Sequence, residues 1–161
     1  MSLKTPHPLW KTCGNNSYEV SKAVIQARFL SGRYRSDKLS SHFVSGGSPI
    51  CTLCRNGSIG SIEHLLQECN VLQNKRSLLI NNLKTNITIS DTAKNIIFKY
   101  LSLKNDSTIQ LILDCSVLPE VIKAKQDENE NILEEIFRFT RLWCYTMHQQ
   151  RLQLQGKWNK I

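Results

Sequence analysis

Residues 51 to 69 read CTLCRNGSIGSIEHLLQEC, a Cys–x2–Cys–x9–His–x4–Cys series. Two cysteines two residues apart form a tight turn that can aim both sulfurs at one ion. Zn2+ takes four such ligands in a tetrahedron, with sulfur at about 2.3 Å. Cys51, Cys54, His64 and Cys69 are therefore the expected ligands. Four protein ligands leave no open coordination position, so the zinc is expected to be structural and not catalytic. His64 and Cys69 are five positions apart, about 140° around an ideal α-helix, and cannot share one face of it. A short helix capped by Ser61, with His64 in its first turn, must then end near Glu68 so that Cys69 can turn back. A redox Cys–x–x–Cys fits less well, because such a pair opens a helix after a strand and no βαβ pattern surrounds this one.

The elements around the cluster read as helices. SYEVSKAVIQARFLSG places Val20, Ala23, Val24, Ala27 and Leu30 at helical spacing, with Ser17 as cap and Gly32 as stop. Ser36 caps a short helix to Phe43, and FVSGGSP is punctuated as a loop. Asn70 with Gln73 has capping-box form and opens a helix through Leu72, Leu79 and Leu83. Thr85 to Ile89 reads as an extended link. Ser90 caps a helix carrying Ile96, Ile97, Tyr100 and Leu101; a short helix over Ser107–Leu113 follows Asp106, and Pro119 suits the first turn of another. The longest helix covers about Asn129 to Gln155, with Ile132, Ile136, Phe139, Trp143, Met147 and Leu154 in one stripe. Acidic residues from Asp127 to Glu135 crowd its start, and Arg151, Lys157 and Lys160 favour its end. The expected fold is all-α, a helical domain with a small CCHC module inserted near its first third. The divisions are a basic helical segment over 1–47, the zinc module over 48–70, and a helical bundle over 71–161, expected to form one compact unit.

No apolar run is long enough to span a membrane, and MSLKTPHPLW has no apolar core of a signal peptide. A soluble protein of the nucleus or cytoplasm is expected. In such a reducing compartment Cys13, Cys115 and Cys144, which stand alone in apolar surroundings, read as small buried hydrophobes. The net charge of +8 is unevenly placed. Residues 1–60 hold eight Lys/Arg against two Asp/Glu, whereas residues 101–161 hold eight against eight. The positive excess lies before and around the Cys/His cluster, where a polyanion such as RNA or DNA is the natural partner.

The segments PHPLWKTCGNNSYEVSKAVIQARFLSGRYRSDKLSSHF, the CCHC unit ending IEHLLQEC, ILDCSVLPEVI and FRFTRLWCYTMHQQRLQLQGKWN resemble the extreme C-terminal region of non-LTR (LINE-like) retrotransposon polyproteins. The resemblance is most specific at LSGRYR and the CCHC unit and weak over about 80–105. It implies a zinc knuckle at Cys51, Cys54, His64 and Cys69 that helps to hold template RNA or target DNA downstream of a reverse transcriptase. The loop of nine exceeds the four of retroviral knuckles, so their base-pocket mechanism does not transfer. The sequence contains no Tyr/Phe-x-Asp-Asp polymerase motif.

Two basic stripes are candidates for nucleic-acid contact. The first is Lys22, Arg28, Arg33, Arg35 and Lys38 with Tyr34 as a stacking aromatic, leading to Arg55. The second is Arg138, Arg141, Tyr145, His148 and Arg151 on the last helix, which fall within about 140° at 100° per residue. Trp143 is expected in the core, and Trp10 and Trp158 near the termini. A rival reading makes the chain a zinc-stapled interaction domain docking on reverse-transcriptase domains of a larger polyprotein, since the acidic DENENILEE segment cannot lie on phosphate. A nuclease is not expected. Glu120 and Lys123 are three apart where such a site wants two, with only Asp114 nearby.

Overall fold

A computed structural model describes the backbone of residues 4–158 and the side chains through residue 156. Lys160 lies outside the described residues, as do the side chains of Lys157 and Trp158. Eight α-helices occur among the described residues: α1 (Pro8–Lys11), α2 (Ser17–Leu30), α3 (Asp37–Ser40), α4 (Gln73–Thr85), α5 (Asp91–Leu103), α6 (Asp106–Leu113), α7 (Pro119–Gln126) and α8 (Ile132–Trp158). Among the described residues no strand forms beyond a single antiparallel bridge between Ile50 and Ile59. The fold is all-α.

Most helix starts follow from local caps. Ser36 and Ser90 accept hydrogen bonds from the Leu39 and Ala93 amides, and Pro119 occupies the first turn of α7. Three starts differ from the sequence reading. Asn16, not Ser17, caps α2, because its carboxamide reaches the Tyr18 and Glu19 amides. Asn105 caps α6, in a capping box with Thr108. Asn70 caps nothing: Asn70–Leu72 is a 3-10 turn without a side-chain cap, and α4 starts at Gln73. The α3 helix ends at Ser40, short of Phe43. The link at Asn86 is a turn closed by its own side chain, which accepts from the Thr88 amide at 2.9 Å.

One apolar core runs through all eight helices' neighbourhood and into the Cys/His module, from Leu9 and Phe29 through Leu66 and Leu72 to Met147. The α8 helix is its axis. Besides the expected stripe of Ile132, Ile136, Phe139, Trp143 and Met147, it buries Phe137, Thr140, Arg141 and Cys144, so two faces are covered. Cys13, Cys115 and Cys144 are buried free thiols. The α2 helix packs along α8 by a face rotated from the expected one: Lys22, Ala23, Ile25, Gln26 and Phe29 are buried while Leu30 is exposed. The polar Gln26 is half accommodated there: its amide nitrogen donates to the Ile112 carbonyl at 2.8 Å and to Thr140 Oγ1 at 2.9 Å, while its Oε1 is buried with no partner among the described residues.

A half-buried histidine gives α8 a pH dependence. His148 Nδ1 lies 2.8 Å from the Tyr34 hydroxyl. Burial, and then the charges of Arg151 and Arg28, hold His148 below the ordinary imidazole value of 6.5. The unfolded chain therefore protonates first as pH falls. The stability contributed by the neutral ring is complete above that ordinary value and drains away as pH drops toward the folded-state value. Urea midpoints followed from about pH 7.5 to about pH 5, across the titration, are expected to fall in the wild type and to fall less in His148→Gln. Equal slopes in both proteins would assign the loss to other groups.

Candidate metal centre and basic surface

The Cys51–Cys54 turn closes when the Arg55 amide donates to the Cys51 carbonyl at 3.3 Å. Arg55 sits in the left-handed region, φ 50°. The Cys51 amide then bonds the Ser58 carbonyl at 2.8 Å and the Gly60 amide bonds Pro49 at 2.7 Å, so the segment folds back as a small loop against α3. Gly60 is required at that contact. A Cβ there would stand 2.6 Å from the Asp37 Cβ.

The helix that carries His64 starts at Ile62, with Ser61 Oγ accepting from the His64 amide at 3.2 Å, as expected. Residues His64–Glu68 then widen into a π turn, and the Cys69 amide bonds the His64 carbonyl at 2.7 Å. The sequence showed no sign of this turn. It settles the five-residue problem, because an i→i+5 turn brings positions five apart closer to register than an α-helix does. Cys69 leaves the helix in an extended conformation, at φ −55° and ψ 117°.

The four ligand atoms converge. All lie within 4.8 Å of one another, with Cys51 Sγ 4.0 Å from Cys69 Sγ and Cys54 Sγ 3.4 Å from His64 Nε2. A tetrahedral site with sulfur at about 2.3 Å and nitrogen at about 2.0 Å has edges of about 3.5–3.8 Å, so the side chains already stand near ligating positions. His64 Nδ1 is turned to Glu68, 3.6 Å away, which leaves Nε2 facing the cluster. Burial, and then the neighbouring Cys51 thiol, push Cys69 up to about 12, and burial also raises Cys51. Thiols this reluctant to ionise on their own become thiolates when a cation replaces the protons. These residues fit a metal ion.

The surroundings match that charge. Arg76 is 3% exposed, and among the described residues it forms no ion pair with a carboxylate. Its guanidinium donates to the Cys69 carbonyl, to the Leu65 carbonyl and to Gln73 Oε1. Three thiolates and a neutral imidazole around a dication carry one net negative charge, and Arg76 sets a positive charge against it. Trp143 Nε1 donates to the Leu66 carbonyl at 3.0 Å. Together these side chains take up carbonyls that the end of the π turn leaves without helical partners. On the other side Asp37 accepts from the Thr52 amide at 2.9 Å and pairs with Arg151 at 3.4 Å, which fastens the Cys–x–x–Cys loop to α8.

The basic residues divide differently from the sequence expectation. Arg28, Arg33, Arg35, Lys38 and Arg55 are exposed, with Lys38 held beside the module by its amide bond to the Gly60 carbonyl. Lys22 is 5% exposed, paired with Glu19 at 2.6 Å and set over the Tyr18 ring, so it belongs to the interior. Tyr34, 3% exposed, is stacked on Phe29 with ring centroids 3.8 Å apart, and its hydroxyl is spent on His148; its face cannot receive a base.

The second stripe is not a surface. Arg141 is 1% exposed and donates to Glu19 and Thr12. Arg151 is buried and donates to the Arg35 carbonyl at 2.6 Å. Tyr145 packs edge-on to Tyr18, and the exposed Arg138 pairs with Glu134 at 3.0 Å. The helical wheel grouped these residues correctly, but most of their face meets α2 and the residues on either side of it, leaving Arg138 alone of the five exposed. One residue was overlooked. Phe43 is 67% exposed with the Arg35 guanidinium over its ring. A Phe–Val pair inside a Gly/Ser-rich loop was the available signal. Glu120, the carboxylate weighed for nuclease chemistry, is engaged by Lys99 and Tyr100, and Asp114 by His7 and Ser116.

These observations define an all-α protein with a Cys3His cluster that could hold a metal ion. Comparison with protein-family models, curated proteins and solved structures finds no significant match. Among the described residues no helix is long and apolar enough to cross a membrane.

Proposed function

We propose that this chain is a zinc-stabilised nucleic-acid-binding region of the kind that follows the reverse transcriptase of LINE-like retrotransposons, or a stand-alone derivative, holding template RNA or target DNA. The zinc is structural, and the chain binds without polymerase or nuclease chemistry of its own, in the nucleus or cytoplasm. The observation that carries this reading is the charge of residues 28–60. That span holds five Lys/Arg and a single carboxylate, Asp37, which is turned to Thr52 and Arg151. The exposed charges of that span are therefore all cations, suited to phosphate, and the exposed acids of the module, Glu63 and Glu68, follow it in the sequence.

The test is binding of the metal-loaded chain to single-stranded RNA, hairpin RNA and duplex DNA across a salt series. Log K is expected to fall linearly with log salt, by about 0.7 per phosphate on single strands and about 0.9 on duplex. Arg33→Ala with Arg35→Ala is expected to weaken binding and flatten that slope by about 1.5. Absence of binding to all three at low salt rejects the reading. In that event the rival reading, docking on polymerase domains, has its own supporting feature. An apolar groove of about 400 Å³, lined by Pro8, Val121, Ile122 and Leu133, opens next to the acidic turn before α8.

A further inference from the structure

Phe43 lies in the loop between α3 and the metal module, and the Arg35 guanidinium carbon stands 4.9 Å from its ring centroid. A phenyl ring left in water loses the stabilisation that burial would bring, and this one is neither drawn into the nearby core nor covered by the loop. Arg35 is fixed from beneath, because its carbonyl accepts from Arg151 Nη1. Ser36, the next residue, caps α3. The pair is thus an aromatic face and a planar cation, held at the edge of a rigid element inside a stretch whose exposed charges are all positive.

We propose that Phe43 and Arg35 form a stacking platform for an unpaired base, so that the nucleic acid is single-stranded where it crosses the module. The inference rests on the nucleic-acid reading above and deepens it. A duplex offers base edges in its grooves and keeps its base faces stacked inside, whereas a ring on a surface loop meets a face only when a base is splayed out. Stacking on an aromatic ring tolerates any base, and guanidinium planes extend the same surface while contacting phosphate. The positive strip supplies backbone attraction, and the ring adds a contact that only an unpaired strand can make.

The experiment compares three labelled ligands of equal length with the full metal-loaded chain: a single-stranded oligodeoxynucleotide, the same strand with abasic sites throughout, and the duplex. Phe43→Leu is expected to weaken binding of the normal single strand by about five-fold or more. Its salt slope should be unchanged, as should its affinity for the abasic strand and the duplex. Phe43→Trp is expected to retain wild-type affinity for the single strand. Metal content and thermal melting of both variants, expected to match wild type because the residue is exposed, separate stacking from misfolding. A Phe43→Leu loss equal on all three ligands, or no loss on any, overturns the platform. If the wild type binds with a steep salt slope while Phe43→Leu is silent, the platform falls and the phosphate reading stands. If the wild type binds none of the three, the platform falls, and the RNA ligands of the salt series decide the phosphate reading.

Discussion

Replacing Cys69 by Ser is expected to abolish stoichiometric metal uptake and to lower the melting temperature of the whole chain, not of the module alone. A dication held by three thiolates and an imidazole contributes on the order of 10 kcal/mol or more when it folds an isolated small site, and losing one thiolate removes most of that. Cys51, Leu53, Leu65, Leu66 and Cys69 belong to the same apolar core as α8, so loosening the module uncovers Trp143 and leaves Arg76 buried beside no compensating charge. The measurements are zinc per chain by elemental analysis, the thiolate-to-cobalt absorption of the Co2+-loaded protein, and melting with and without chelator. Cys13→Ser, at a buried thiol outside the cluster, is the control and should keep its metal. A Cys69→Ser protein that still carries one zinc and melts as the wild type would falsify the site. Proton release on metal binding is expected as well, because Cys69 starts from about 12.

Arg141→Ala is the second large effect. An arginine on a helix that also carries Glu134, Arg138 and Glu135 looks like one more solvated charge, and removing such a pair costs under about 1 kcal/mol. Here the side chain is fully buried. It donates from Nε to Glu19 at 3.2 Å, from Nη1 to Thr12 Oγ1 at 2.9 Å and from Nη2 to the Thr12 carbonyl at 3.3 Å. Truncation strands the Thr12 acceptors and opens a cavity between α2 and α8, which together are expected to cost about 3 kcal/mol. For a chain of 161 residues that is a drop of about 6–12 °C in Tm. Arg141→Lys keeps the charge but not the planar fork and should recover only part. Nucleic-acid affinity of the folded Arg141→Lys protein is expected to be unchanged. A Tm loss below about 2 °C in Arg141→Ala would return Arg141 to the surface role the helical wheel suggested.

What could be read from the sequence was whatever is decided within four or five residues. Ser36, Ser61 and Ser90 each cap the turn that follows, since a hydroxyl needs only the amide three positions on. The convergence of Cys51, Cys54, His64 and Cys69 was legible for a similar reason: a tight Cys–x–x–Cys turn and a short helix are local objects. Asn70 failed as a cap because Cys69, extended to reach the cluster, forces a 3-10 turn where the capping box would have started a helix. Burial was harder, because it depends on distant partners. Tyr34 looked like an exposed aromatic among arginines until Phe29 stacked on one face and His148, far along the chain, took its hydroxyl. Lys22, Arg141 and Arg151 were misplaced likewise, each by a partner that no window of the sequence contains or by a face that only α8 defines. Arg76 gave no local sign at all. Its role appears only when the π turn leaves carbonyls pointing at it.

The arrangement of α8 also constrains how the chain is made. Its Thr140 meets Gln26, its Arg141 meets Thr12, its Trp143 meets Leu66 and its Arg151 meets Asp37, across 114, 129, 77 and 114 residues. A nascent chain is made N-terminus first, so seven helices are translated before their shared partner. Such distant pairings also slow folding once synthesis is complete. Ribosomes that stop before residue 132 would release apolar faces with nothing to close on, a substrate for chaperones and proteases and not a shorter protein.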